Sequence, residues 1–406
     1  MILGLVMLYS LSVMEKEKND AEVRSIEVNR GHAESDLERR EREEKELGHS
    51  LWPYVQLLKQ NALHPPSAEE IITRATKGLC AIDPYSKCFS EDEYQKEQAS
   101  LVTQYTGIGI LFTGAKTGAR ITDVRLRSPA EKAGLRIGDV ITHVVVGRQR
   151  SALAGLTEQE QIDRLGGSSA TMLSLVLSRN GKILFSPPMM RAGGLVPTVD
   201  RVYLPLPHYG YLHIRRFTLG QTASELKYAL GRLKKNGALY GVVIDLRGNL
   251  GGIFSEAVDM AGFFLDGGVI ATTFDRSEGR KIYTAPPGDI LRGIPLVLLV
   301  DKNSASSSEL FVGALVDRDI PRALLMGEKT YGKGVGQTIT TLQGGGKVKF
   351  TSFEFFTPKG NAVQGKGFTP DPALLTTFAD LHADDPWQGA ALKYLAEAHR
   401  AQKNRK

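Results

Sequence analysis

Cysteine is scarce in this chain, with two residues, Cys80 and Cys88, among 406. They lie eight positions apart with no third or fourth ligand at metal spacing, which argues against a zinc site. They suit one local disulfide in an oxidising compartment or two buried thiols, and the pair alone does not choose. Aromatics make up 7% of the sequence and no dense Lys/Arg stripe interleaves with them. The net charge of +6 is therefore scattered rather than the footprint of a nucleic-acid partner. No internal repeat is present. The apolar, uncharged N-terminus, residues 1–14, falls short of a bilayer core at about 1.5 Å per helical residue. Its length fits the apolar part of an export signal, although a basic leader and a small-residue cleavage site are missing. A short anchor or a core helix are the other readings.

At 42% hydrophobic and 24% charged residues, the chain is long enough for two or three domains with cores. Residues 15–46 carry 20 charges in 32 positions and read as a solvated helix or disordered spacer. A helical pattern follows from Leu51 to about Ala62. The next helix starts at Ser67, with Glu70 completing a capping box, and runs to Leu79. Asp83-Pro84-Tyr85-Ser86 is a turn. From Tyr105 to about Phe185 short strands dominate, with a helix at Ser128–Ala133 capped by Gly134 and a turn at Asn180-Gly181. From Arg201 to Pro372 strands and helices alternate. Tyr240–Leu246 and Pro295–Val300 are continuous apolar strands, as in a sheet covered on both faces.

Lys333, in Thr330-Tyr331-Gly332-Lys333-Gly334, is an amine between two glycines. It could hold a phosphate or act as a neutral base. Gly327 to Lys333 fits a phosphate loop until Gly334 stands where Ser or Thr must bind magnesium, and a strand-like segment, Val335–Leu342, replaces the required helix. The base reading needs a serine. Ser306, in Asn303-Ser-Ala-Ser-Ser-Ser-Glu309, follows a buried strand and opens a helix whose free N–H groups could stabilise an oxyanion. Glycines in Asp245–Gly252 could supply a second amide. The same Ser306–Glu309 segment is also a capping box, and serines before helices are commonly only caps. Local sequence does not choose among Ser304, Ser306, Ser307 and Ser308. His208 and His213 are rival bases, but neither has an acidic orienter in an obvious loop position.

Taken in order, several segments resemble one family, the carboxyl-terminal processing peptidases or tail-specific proteases. Ile71 to Ser86, ending Ile82-Asp-Pro-Tyr-Ser86, resembles the helix and turn before the family's PDZ domain. Gly107-Ile108-Gly109-Ile110 and Ser128–Ile141 resemble the PDZ domain itself. Tyr209–Ile214, Asp245–Gly252, Asn303–Glu309, Gly327–Gly334 and Phe356–Asp371 resemble successive motifs of the protease core. The match spans about residues 67 to 375. It implies an α/β multidomain protein: a PDZ domain inserted before an α/β (ClpP/crotonase-like) protease core, with flanking helical N- and C-terminal regions. The corresponding division is 1–14 export signal or anchor, 15–50 charged spacer, 51–104 helical region, 105–187 PDZ domain, 188–375 protease core and 376–406 helical region.

The resemblance further implies a serine endopeptidase with Ser306 as nucleophile, Lys333 as general base and Gln337 orienting the lysine. Gly251 or Gly252, with the amide of Ser307, would form the oxyanion hole, and Asp317 would support the site. Gly107, Ile108, Gly109 and Ile110 would bind the peptide. No metal, nucleotide or other cofactor is implied. The expected partners are polypeptides with free apolar C-termini, not nucleic acid. Membrane association through the N-terminus, self-association through the flanking helices or a regulatory adaptor would accompany a bacterial periplasmic or cell-envelope location. The alternative is a peptide-binding PDZ scaffold with a relic protease core. Two departures stand out: Ser307 occupies a position usually held by alanine, and Arg318–Arg322 lengthens the segment between Ser306 and Lys333.

Overall fold

The computed structural model describes residues 38–101, 104–235, 237–342, 346–378 and 385–403. The apolar N-terminus and the charged segment up to residue 37 lie outside them. The chain forms two units, Met1–Ile82 and Asp83–Lys406. In the first, α1 spans 38–61 and α2 spans Ala68–Cys80. The box foreseen at Ser67 closes, with Glu70 N–H donating to Ser67 Oγ and Ser67 N–H to Glu70 Oε2. That reciprocal pair satisfies two amides that the first helical turn would otherwise leave without partners. Neither cysteine is a free thiol; both are disulfide-bonded.

The second unit opens with β1 (Lys87–Phe89), α3 (Glu91–Leu101) and β2 (Gln104–Gly107). A seven-stranded antiparallel sheet follows, built from β3 (Ile110–Ala115), β4 (Gly118–Val124), β5 (Val140–Val146), β6 (Gln149–Ala152), β7 (Met172–Arg179), β8 (Lys182–Phe185) and β9 (Met189–Met190). Helices α4 (Pro129–Lys132) and α5 (Glu158–Leu165) close its core around Ile121, Ile141, Leu153 and Leu175. Asn180, with φ 51°, and Gly181, with φ 78°, make the tight turn between β7 and β8, since a two-residue hairpin needs positive φ at both positions. Strand β10 (Ala192–Leu195) pairs with β2 and leads out of this sheet.

The remaining elements are β11 (Val199–Leu206), β12 (Tyr209–Ile214), α6 (Thr222–Lys235), β13 (Gly241–Asp245), α7 (Phe254–Gly262), β14 (Val269–Asp275), β15 (Gly279–Thr284), β16 (Leu296–Val300), α8 (Ser307–Val316), β17 (Leu324–Gly327), β18 (Val335–Thr341), β19 (Lys347–Phe356), α9 (Ala373–Thr377) and α10 (Pro386–Lys403). The central sheet runs β11-β12-β13-β16-β17, and its last four strands are parallel. Every residue of β13 and β16 is buried. Their period of two divides the two faces. Val242, Ile244, Leu296 and Leu298 pack towards α6, α7 and α8, whereas Val243, Val297 and Leu299 pack towards α10. Truncating one of these, such as Leu298→Ala, would cost about 2–5 kcal/mol. A second sheet, β1-β19-β14-β15 with β18 on β19, stands beside the first.

In open α/β sheets a site forms beyond the carboxyl ends of parallel strands. Here the loops after β13, β16 and β17 all leave from that edge. They carry Gly251 and Gly252, Ser306, and Lys333 respectively.

Candidate active site

Ser306 is the residue that caps α8. Its backbone has φ 57° and ψ −117°, a conformation that costs a residue with a side chain about 1–3 kcal/mol. A sharp strand-to-helix turn of this kind lifts a hydroxyl clear of the sheet. The neighbouring serines differ from Ser306 in what their hydroxyls bond. Ser304 Oγ donates to Leu246 O at 2.9 Å, Ser307 Oγ to Gly252 O at 2.9 Å and Ser308 Oγ to Asn249 O at 2.9 Å. All three are buried, and Ser306 alone of the four is half-buried; among the described residues no carbonyl takes its hydroxyl proton. Three serines therefore fasten the loop, and the hydroxyl of Ser306 is not used in that way.

The loop after β13 lies against Ser306. A Cβ on Gly251 would stand 2.7 Å from Ala305 O and 2.9 Å from both Ser306 Cβ and Ser307 N, so only glycine fits. Asn249 sets this approach. Its carbonyl accepts from Ala305 N–H, its Oδ1 from Gly251 N–H at 2.9 Å, and its Nδ2 donates to Ile214 O. The Gly251 amide is thereby occupied. Among the described residues no acceptor takes the N–H of Gly252 or of Ser307, the first residue of α8. A cavity of about 560 Å³ opens beside the two glycines, with Arg215, Arg216, Gln221 and Lys349 in its walls.

Lys333 Nζ donates to Gln337 Oε1 at 2.9 Å, and Gln337 Nε2 reaches Thr351 Oγ1 at 3.4 Å. Burial, and then the Lys349 ammonium, pull its amine below the ordinary lysine range, against an opposing pull from Asp83. Desolvation and a like charge both disfavour the charged form of an amine. The glycines on either side serve packing rather than phosphate. A Cβ on Gly334 would lie 2.2 Å from Gln364 N, and Gly365 N–H donates to Gly332 O. The closing loop 363–367 thus lies directly on the lysine segment.

One buried carboxylate joins the serine and lysine segments. Glu309, with none of its surface exposed, accepts from Ser306 N–H at 3.0 Å and Lys333 N–H at 2.8 Å through Oε2. Its Oε1 accepts from Gly332 N–H at 2.7 Å and Thr330 Oγ1 at 2.6 Å. The side-chain amine of Lys333 itself bonds Gln337 rather than Ser306.

Residues 208–374 match the model of peptidase family S41, and residues 106–159 match that of a PDZ domain. A carboxy-terminal-processing protease of Bartonella bacilliformis is 31% identical over 312 residues, which are 75% of this chain and 70% of that protein. This chain belongs to peptidase family S41. A probable CtpA-like serine protease of Staphylococcus saprophyticus is 30% identical over 318 residues, 76% of this chain; the match spans 61% of that relative's length. Among solved structures, a photosystem II D1 C-terminal processing protease aligns with 78% of this chain and 84% of its own at 28% identity, with a TM-score of 0.46.

Within this S41 chain the other expected residues fall in different places. Asp317 sits at the far end of α8 from Ser306, eleven residues on or about 16 Å along the axis, and accepts from Thr357 Oγ1 and Asn361 Nδ2. It ties the closing motif to the helix and does not touch the lysine. Ser307, in place of the usual alanine of the S41 pattern, spends its hydroxyl on Gly252 O. His213 is taken up on both ring nitrogens, by Asp200 and by Arg247 O, while His208 contacts Ala238 O and stacks on Tyr240. Neither histidine reaches the serine. Gly107, Ile108, Gly109 and Ile110 line a groove of about 260 Å³ with Ile162 and Leu165 opposite.

Two residues of the site escaped the sequence reading. Glu309 fits a capping box in sequence, yet a lone charge beside the apolar run Leu310–Val316 signals a carboxylate that must find donors inside. Tyr85, whose ring lies 4.5 Å from Lys333 Nζ, is in sequence only one residue of a turn, with nothing to connect it to the lysine.

Proposed function

We propose that the chain is a serine endopeptidase acting on polypeptides through their C-terminal tails. Ser306 is the nucleophile, Lys333 the general base, and Gln337 the residue that orients the amine. The observation that carries this is the unequal fate of the four serines, with Ser306 keeping its hydroxyl proton while a desolvated amine is anchored on the adjoining loop. A neutral Lys333 takes that proton as Oγ bonds the scissile carbonyl carbon. The oxyanion formed is met by the N–H groups of Ser307 and Gly252; Gly251 is the weaker candidate because Asn249 already holds its amide. Lys333 then gives the proton to the leaving amine as the C–N bond breaks, and water attacks the acyl-enzyme with the same lysine as base.

The tail itself would add as a strand beside Gly107–Ile110, with an apolar terminal side chain between Ile108, Ile162 and Leu165. Main-chain pairing along such a groove favours an extended, unfolded segment, which could then cross the cavity beside Gly252. Both disulfide-bonded cysteines suit an oxidising periplasm or cell envelope. Membrane attachment through residues 1–14 belongs to the same reading; among the described residues no helix is long and apolar enough to cross a membrane. The exposed Leu47, Leu51, Tyr54 and Leu58 of α1 recur at alternating four- and three-residue steps, the spacing of a self-associating seam.

The test is cleavage of an unfolded polypeptide with an apolar C-terminus by the full chain, Ser306→Ala and Lys333→Ala. Both variants are expected to lose at least a thousandfold in kcat/KM, in line with the loss of a nucleophile or its base. Equal cleavage by all three proteins would end the Ser/Lys assignment, and no cleavage by any of them would leave a PDZ peptide-binding scaffold. Sensitivity to chelators or dependence on ATP would reopen metal or nucleotide chemistry.

A further inference from the structure

The turn Asp83-Pro84-Tyr85-Ser86 precedes both domains in sequence, yet it is built into the wall around Lys333. Asp83 Oδ1 accepts from the N–H groups of Tyr85 at 2.7 Å and Ser86 at 2.9 Å, and Oδ2 accepts from Ser86 Oγ at 2.7 Å. Such an Asx turn is stiff, because one carboxylate fixes two successive amides. Ser86 Oγ in turn accepts from Thr351 N–H at 3.2 Å, and β1, which begins at the next residue, pairs with β19 from Lys87↔Lys349 onward. Thr351 is also the residue that meets Gln337 Nε2. One chain of hydrogen bonds thus runs Asp83–Ser86–Thr351–Gln337–Lys333. At its end the Tyr85 ring faces Lys333 Nζ, 4.5 Å from its centroid.

We propose that Tyr85 is a positioning residue of the active site: its ring face holds the Lys333 amine and stabilises the ammonium formed when that amine takes the serine proton. This rests on Lys333 being the general base. The physical case is one of balance. A base buried enough to be neutral must still accept a proton, and burial alone makes that step costly. An aromatic face within about 6 Å attracts an ammonium without offering a proton of its own. The ring therefore counters the desolvation it helps to create.

The charges around the amine are few. Lys349 on β19 opposes the ammonium, Asp83 in the turn favours it, and Glu309 on α8 binds the backbone N–H of the same lysine. Lys349 is itself paired with Glu97, which also holds Lys87. Among the described residues, Tyr85 is the aromatic ring that lies against the Lys333 amine.

The test compares the full chain with Tyr85→Phe, Tyr85→Leu and Lys333→Ala. Two readouts are taken across pH: trace acylation of individual lysines, read by peptide mass spectrometry, and kcat/KM on an unfolded polypeptide. In Tyr85→Leu the labelling midpoint of Lys333 is expected to fall by about 0.5–1 pH unit, the acid limb of kcat/KM to move down with it, and the plateau to drop severalfold. Tyr85→Phe should track the wild type, and exposed Lys359 should label alike in all. An unchanged or rising Lys333 midpoint in Tyr85→Leu, or the same fall in Tyr85→Phe, overturns the proposal. Should the leucine variant fail to fold, trifluorophenylalanine at position 85 keeps the shape while draining the ring face of charge, with the same midpoint shift expected. Cleavage surviving in Lys333→Ala would sink the base assignment itself. That result is distinct from an inactive Lys333→Ala accompanied by an indifferent Tyr85→Leu.

Discussion

Replacing Glu309 by glutamine tests whether the serine and lysine loops are held as one piece. The carboxylate accepts four hydrogen bonds, two at each oxygen, from Ser306 N–H, Lys333 N–H, Gly332 N–H and Thr330 Oγ1. Glutamine offers one oxygen and an NH₂ group, so two of those donors must face another donor. If the NH₂ takes the Oε2 place, the Ser306 and Lys333 amides both lose their acceptor. If it takes the Oε1 place, Thr330 can turn its hydroxyl, although it already accepts from Phe368 N–H, and Gly332 N–H is stranded. A buried amide left without a partner costs about 1–3 kcal/mol, and the surviving bonds lose their charge assistance. The least damaging arrangement therefore costs about 2–5 kcal/mol. Part of that cost is relieved by moving the two loops apart. A displacement of about 1 Å at reacting groups is worth about a hundredfold in rate. In the full chain, kcat for Glu309→Gln is expected to fall about a hundredfold or more while KM changes little. Peptide binding to the groove at Gly107–Ile110 should be unaffected, since that sheet has its own core. Thermal unfolding is measured alongside. A variant with lowered Tm but wild-type kcat would refute the coupling and reduce Glu309 to a stabilising cap.

Gly251→Ala places a methyl group 2.7 Å from Ala305 O at a backbone φ of +99°. It is expected to lower kcat by about 10²–10³-fold, the scale of a lost oxyanion donor, as the loop retreats from Ser307. Wild-type kcat in a folded Gly251→Ala would show that this close approach is not needed. Asp123 makes a different prediction. Burial, and then the Asp200 carboxylate, push its pKa up to about 6, and its Oδ2 is buried without a partner. A carboxyl raised in the folded state lends stability below its unfolded pKa, and that stability is lost as pH rises through about 6. Asp123→Asn should therefore stabilise the fold near pH 7.5 by an amount on the order of 2 kcal/mol, read as a higher Tm, and bring almost no gain near pH 4. A gain of the same size at both pH values would mean that ionisation is not the cause.

The parts of this protein that were readable from sequence are those with local causes. Val242–Ile244 and Leu296–Val300 announce strands covered on both faces because their apolar runs admit no solvent side. Ser67 with Glu70, and Asn180 with Gly181, fix their cap and turn through residues a few positions apart. The site is harder because its meaning lies in partners distant along the chain. Ser304, Ser306, Ser307 and Ser308 look alike until Leu246, Gly252 and Asn249 present their carbonyls to three of them. Glu309 satisfies a capping pattern and also reaches the lysine loop, so the local explanation conceals the distant one. Gly332 and Gly334 suggested a phosphate cradle because glycine signals close approach without naming what approaches, and here it is the backbone of Gln364 and Gly365.

Tyr85 goes further, since nothing near it in sequence hints at Lys333. Its position follows from β1 joining β19, a pairing of three residues that no periodicity could foretell. A base that must be dry enough to lose a proton and still hold one needs contributions from several segments at once. Its surroundings are therefore the portion of the site least visible in the lysine's own neighbours.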